Sequence, residues 1–200
     1  MNGESEKPPV EWATFEQKNA VRAMMRQLLA RMDPADRQTR SRSLVARLME
    51  LPAWQSARRV LLFAPLPVEP DIDPLWGSGA LDGKECAYPR VEGMVTRLYY
   101  VHGLADLEPT RWGLREPVKL AAREAEIADF DLVLVPGLAF DTQGGRLGRG
   151  GGFYDKLLAG RSKKATLVGM CFAAQRVEQL PLAPHDVLMD MVCTEAGVRD

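Results

Sequence analysis

The sequence predicts an α/β fold, a three-layer α/β/α sandwich around a mainly parallel sheet. Three observations carry that expectation. Short apolar runs such as Leu132 to Val135, bounded by Pro and Gly, have the length and branching of buried strands. Stretches with apolar residues three and four apart alternate with them, as when crossover helices join parallel strands. The 200 residues are 46% hydrophobic, with no internal repeat and no second domain visible, which suits one sizeable core.

The elements follow in order. Residues 1–14 are polar and carry Pro8-Pro9, and read as a flexible N-terminal tail before a single domain over 15–200. From Phe15 to Met32, Val21, Met24, Met25, Leu28, Leu29 and Met32 fall at helical spacing, with Lys18 and Arg22 on one face near the start. Asp33-Pro34 is an N-cap followed by proline in the first turn, opening a helix buried through Leu44, Val45, Leu48 and Met49. The arginines at 37, 40, 42 and 47 read as its wet face, and Pro52 ends it. Arg59 to Ala64 is a strand closed by Pro65 and Pro67. Its exit holds Glu69, Asp71 and Asp73, either an exposed turn with a helix cap or a cation site. Cys86 to Val91 and Met94 to Val101 pair around Glu92-Gly93. Residues 118–130 read as a linker or short helix. Strands follow at Leu132 to Val135, Ala165 to Phe172 and Val187 to Thr194, with Pro181 and Pro184 bracketing a loop before the last.

Composition narrows the function classes. A net charge of −1 provides no global field for nucleic acid. No apolar run approaches the length of a membrane span and the N-terminus is no signal peptide, so a cytoplasmic protein is expected. Cys86, Cys171 and Cys193 are far apart and lack metal spacing. They read as buried small residues in a reducing compartment. A small anionic substrate would need a local basic cluster.

That cluster is offered by Arg146-Leu147-Gly148-Arg149-Gly150-Gly151-Gly152-Phe153-Tyr154-Asp155, between a strand and a helix that starts near Phe153. Glycines let backbone N–H groups approach an anion, and arginines supply bidentate donors. The spacing fits neither a Walker loop nor a dinucleotide fingerprint, and a mobile surface turn is the alternative. Asp155 by itself reads as a helix-start acid, worth roughly 0.3–1 kcal/mol against the dipole. Lys18 and Arg22 by themselves read as a solvated basic edge. His185, one of 2 histidines, reads as a structural loop residue rather than a general base, and His102 as a surface group.

The longer string Pro-Gly-Leu-Ala-Phe-Asp (136–141) with Gly-Arg-Leu-Gly-Arg-Gly-Gly-Gly-Phe-Tyr-Asp (145–155) resembles the signature of the 5-formyltetrahydrofolate cyclo-ligase family. Lys18-Asn-Ala-Val-Arg22, Glu69 and His185-Asp186 match further family positions, so the resemblance runs from Lys18 to Glu195. It implies a Rossmann-like fold and an enzyme, an ATP-dependent ligase that closes 5-formyltetrahydrofolate to 5,10-methenyltetrahydrofolate with Mg2+. ADP and phosphate would be released. It implies ATP contacts from Lys18, Arg22 and residues Arg146, Leu147, Gly148, Arg149, Gly150, Gly151, Gly152, Phe153 and Tyr154. Lys18 and Arg149 would be catalytic, and Asp155 and Asp186 would hold Mg2+, with Asp71 and Asp73 as rivals. The folate would touch Ala64, Glu69, Trp112, Arg149, Gly152 and Phe153. The sequence departs from the family pattern at Pro70 and Pro74, at Ala183 where a glutamate is usual, and at Phe153 where tyrosine is more common. The implied partners are the folate substrate alone, with neither nucleic acid nor membrane, in a monomer or weak homodimer. Two other readings stay open: a non-catalytic folate- or nucleotide-binding relative of the same fold, and a sugar-phosphate or CoA-ester enzyme.

Overall fold

The computed structural model describes residues 10–110, 113–120 and 123–199, with backbone alone at 10–13. Its helices are α1 (Val10–Arg31), α2 (Pro34–Glu50), α3 (Pro52–Ser56) and α4 (Phe153–Leu158). The strands are β1 (Arg59–Leu61), β2 (Glu85–Glu92), β3 (Val95–Val101), β4 (Leu107–Pro109), β5 (Arg115–Pro117) and β6 (Glu124–Ala125). They continue with β7 (Leu132–Pro136), β8 (Ala139–Phe140), β9 (Arg146–Leu147), β10 (Thr166–Met170), β11 (Met191–Thr194) and β12 (Gly197–Arg199).

Eight strands form one sheet in the order β12-β11-β10-β7-β1-β2-β3-β6. The run from β11 to β2 is parallel, and β12, β3 and β6 add antiparallel edges. The parallel, mainly central sheet expected from the sequence is therefore present, with helices on both faces. Period-2 alternation in β7 divides its side chains between them. Leu132 and Leu134 join Leu44, Leu48 and Trp54 of α2 and α3. Val133 and Val135 join Phe130, Phe140 and Leu158 on the α4 side. Strands buried on both faces need the continuous apolar run that the sequence shows.

Strand order reverses at β1, which pairs with β2 on one side and β7 on the other. The segments leaving β1 and β7 consequently part at the carboxyl end of the sheet, where an open α/β sheet leaves a crevice. Helix α1 joins neither layer. Met25 and Leu29 pack on Leu138, Ala139, Leu147, Phe172 and Leu180, all in segments beyond those carboxyl ends. This places the early basic face of α1 over the crevice.

Several boundaries move. Helix α1, described from Val10 onward, includes residues 10–14 of the stretch assigned to the tail. The described part of residues 118–130 supplies a short 3-10 helix at Ile127–Asp129, in line with one of the two readings, and an edge strand, β6, that was not expected. Strand β11 is shorter than expected, and β12, which turns back from it, had no sequence signal. Asp33 caps α2 as expected, its Oδ1 accepting from the N–H groups of Ala35 and Asp36 at 2.8 and 3.1 Å. Three of the expected wet arginines tie that helix down instead, Arg47 through its Nε to the Glu195 carbonyl at 2.8 Å. Arg37 donates to the carbonyls of Leu29, Met32 and Pro67, and Arg40 to Asp36 and Glu195. The cysteines are all buried and free. No helix among the described residues is long and apolar enough to cross a membrane.

Candidate active site

A cleft of about 790 Å3 opens at the carboxyl ends of β1 and β7. One wall is Arg146 to Asp155, the second is Leu182 to Asp186, and α1 crosses the end with Thr14, Phe15, Lys18 and Arg22. The remaining arm is largely apolar, lined by Phe63, Ala64, Leu66, Pro89, Val91 and Leu114. Such a mix of apolar walls and few convergent polar groups suits a flat organic ligand carrying an anion.

The glycine loop owes its path to backbone conformations closed to most side chains. Gly150 has φ +113° and Gly152 φ +65°, and Gly152 is also the residue from which α4 begins. As a result the N–H groups of Arg149, Gly150, Gly151, Gly152 and Phe153 find no acceptor among the described residues. Helix α4 is only 6 residues long, so its dipole adds little and the loop amides are the main donors. Helix α1 docks on the loop: Arg22 Nε donates to the Gly148 carbonyl at 3.0 Å, and Arg26 to the Arg149 carbonyl at 3.3 Å.

Three acid–base pairs organise the charge. Arg149 donates through Nε and Nη2 to Glu69 Oε1 at 3.1 and 2.8 Å. Glu69 is 7% exposed and its Oε2 accepts from the Leu66 N–H at 3.0 Å. Arg146, 5% exposed, donates to Asp155 Oδ1 at 2.9 Å and lies 5.5 Å from the Tyr154 ring centroid. Lys18 Nζ donates to Asp186 Oδ2 at 2.5 Å, an oxygen that also accepts from the Ala183 N–H at 2.6 Å. Burial pushes the Asp186 carboxyl up, but the Ala183 N–H and the Lys18 ammonium outweigh it and hold the group below its ordinary value. Burial pushes the Tyr154 phenol up, so it stays protonated at neutral pH.

The structure thus gathers Lys18, Arg22, Ala64, Glu69, the loop, Asp155 and Asp186 around one cleft. Leu147 is buried in the cluster under α1, so it can offer only its backbone. Trp112 lies outside the described residues. His185 stands at the rim with its side chain 79% exposed. Asp73 is not among the residues lining the cleft and is paired at 2.7 Å with Arg115, which is. Pairing was what sequence reading missed, since partners such as Glu69 and Arg149 stand 80 residues apart. Two buried polar residues under the loop also went unread. Gln175 donates to the carbonyls of Gly137 and Leu138 and accepts from the Phe172 N–H. Asp141 accepts from three backbone N–H groups, those of Gln143, Gly145 and Leu180.

Fold and cleft together define an α/β protein with a glycine loop, rich in N–H groups without acceptors among the described residues, at the switch point of its sheet. The chain belongs to the 5-formyltetrahydrofolate cyclo-ligase family, whose model matches residues 14–195. It is 32% identical over 181 residues to the 5-formyltetrahydrofolate cyclo-ligase of Escherichia coli K12, spanning 88% of this chain and 98% of that one. The mouse protein of the same name is 28% identical over 189 residues, covering 89% and 93% of the two chains. Among solved structures, the 5,10-methenyltetrahydrofolate synthetase of Aquifex aeolicus superimposes with a TM-score of 0.80 at 34% identity, covering 91% of each chain. The Mycoplasma pneumoniae synthetase shares the fold, with a TM-score of 0.72 at 19% identity, over 89% of this chain and 98% of that one.

Proposed function

We propose that this chain closes 5-formyltetrahydrofolate to 5,10-methenyltetrahydrofolate at the expense of ATP, releasing ADP and phosphate. One observation carries the reading: five consecutive N–H groups without acceptors among the described residues belong to a loop lining a cleft whose other arm is largely apolar. Family membership supports the choice of a folate for that arm.

The difficulty of the reaction assigns the work. A formyl group on nitrogen is an amide, with a weakly electrophilic carbon and an oxygen that leaves poorly. Attack of that oxygen on the terminal phosphorus of ATP releases ADP and makes the oxygen part of a phosphate ester. The N10 amine then bonds to the carbon and loses its proton. The C–O bond breaks, and phosphate departs with the oxygen. Charge neutralisation and alignment dominate such transfers, so no activated serine or cysteine is needed. The loop amides and Arg149 receive the phosphate chain, and Lys18 and Arg22 add cations from α1. Glu69, beside Arg149, faces the bicyclic end of the folate from the apolar arm.

Asp155 and Asp186 would hold Mg2+. Each keeps one carboxylate oxygen outside its bond to Arg146 or Lys18, Oδ2 of Asp155 and Oδ1 of Asp186, the latter 3.9 Å from His185 Nε2. No group of three or more acid, imidazole or thiol ligands exists among the described residues. That donor set fits an ion shared with substrate phosphates rather than an all-protein cage. When bound, the ion offsets the charge of the transferring phosphoryl group.

The test is a reaction containing 5-formyltetrahydrofolate and Mg-ATP, followed by the absorbance of the methenyl product and by ADP release. Product in proportion to ADP supports the reading. Folate or nucleotide binding without ATP consumption would establish the non-catalytic alternative.

A further inference from the structure

Asp141 ends the Pro-Gly-Leu-Ala-Phe-Asp string and has no part in the chemistry above. Its residue is 2% exposed and no cation pairs with it among the described residues. Burying a carboxylate is costly unless hydrogen bonds replace its water. Here three do: Oδ1 accepts from the N–H groups of Gln143 and Gly145 at 2.9 and 2.7 Å, and Oδ2 from that of Leu180 at 3.0 Å. The first two bonds are local and close the turn that feeds Arg146. The third is not local. It ties that turn to the start of the segment running from Leu180 to Asp186, the opposite wall of the cleft. A carboxylate alone offers acceptors in both directions, since an amide side chain would turn a donor toward one of the N–H groups.

We infer that Asp141 is a positioning residue, a buried clamp that sets the spacing between the glycine loop and the Asp186 wall. By fixing that spacing it places the loop amides and the Lys18–Asp186 pair for one polyphosphate. This rests on the proposed function for the identity of the anion, whereas the clamp itself is testable without any ligand.

The experiment uses the full chain and Asp141→Asn. The amide oxygen keeps the two Oδ1 bonds, and the NH2 group opposes the Leu180 N–H. Hydrogen exchange is expected to leave Gln143 and Gly145 protected. It is expected to accelerate at least tenfold at Leu180, and together at Lys156, whose N–H donates to the Gly152 carbonyl of the loop, and at Ala183 and Asp186 of the opposite wall. The Kd for a non-hydrolysable ATP analogue with Mg2+ should rise at least fivefold while the Kd for 5-formyltetrahydrofolate stays within twofold, a split that general loosening would not produce. Acceleration confined to Leu180, or equal weakening of both ligands, overturns the inference. Should Asp141→Asn not fold, Gly145→Ala serves instead. A Cβ there would lie 2.5 Å from Asp141 Oδ2 and displace the carboxylate, and the same outcomes decide. If the unmodified protein binds no nucleotide, the proposed function falls and the exchange pattern still decides the clamp.

Discussion

Glu69 and Arg149 illustrate how a single pair constrains both halves of the site. Arg149 is partly exposed and Glu69 is not, so each substitution has a different signature. Arg149→Ala removes the guanidinium and leaves a buried carboxylate with one remaining donor, the Leu66 N–H. That is expected to cost about 1–3 kcal/mol of stability and to abolish ATP-dependent ring closure. Thermal unfolding alongside the methenyl assay checks both, and near-normal turnover would remove Arg149 from the mechanism. Glu69→Ala does the opposite. It releases Arg149 toward the phosphate site, so the Kd for the ATP analogue should hold or fall while that for 5-formyltetrahydrofolate rises about tenfold, a loss of about 1.4 kcal/mol. Calorimetric titration of each ligand separates the two, and equal weakening of both would argue against a folate contact at Glu69. Asp186 has a pH signature. Its folded pKa is depressed, so its contribution to stability is complete above the unfolded value near 3.9 and is lost as pH falls through the lower folded value. Asp186→Asn should therefore flatten the acid limb of a stability profile below about pH 4, leaving its slope between pH 5 and 8 unchanged.

At the scale of elements, the helices divide by what they bury. Leu48 on α2 and Leu29 on α1 are both essentially inaccessible, yet Leu48 packs against the sheet and Leu29 against segments framing the cleft. Truncating either to alanine should cost about 2–5 kcal/mol. Only Leu29→Ala should also raise KM for ATP, because it loosens the helix that brings Lys18 and Arg22 to the loop. Steady-state kinetics and chemical unfolding of the two variants make the comparison, and equal KM values would detach α1 from the nucleotide. The same contrast explains what could be read beforehand. Helix α2 was legible, since Asp33, Pro34 and the Leu44, Val45, Leu48 stripe are local signals. Strand β7 was legible because a strand covered on both faces must be continuously apolar. The place of α1 was not, for its stripe reports a buried face without saying what buries it. Nor were β6 and β12, 2 and 3 residues long, whose existence depends on the strand beside them. The glycine loop stood out in sequence, but the Glu69–Arg149 and Lys18–Asp186 pairs form between residues 80 and 168 apart in the chain, where no periodicity applies.

Taken whole, the molecule carries a net charge of −1, so the field that the proposed polyphosphate needs would have to be local. At the anion end of the cleft Lys18, Arg22, Arg146 and Arg149 face Glu69, Asp155 and Asp186, a surplus of a single positive charge. The proposed nucleoside triphosphate would bring several negative charges into this space, and the acids already there would oppose it. Metal-free ATP should therefore bind poorly, and the divalent ion becomes part of the electrostatic balance rather than an accessory. Asp155 tests this because it has two roles that separate in measurement. It pairs through Oδ1 with Arg146, which is buried, and it lines the cleft with Oδ2 outside that pair. Asp155→Asn keeps the shape and removes the charge. Leaving the Arg146 guanidinium without an ionic partner should lower stability by about 3–5 kcal/mol, seen by unfolding without any ligand. Turnover at saturating ATP should then need at least tenfold more Mg2+ for half-maximal rate, seen by metal titration. A variant that loses stability but keeps the original titration would confine Asp155 to holding Arg146. The ion would then rest on Asp186 and the phosphates.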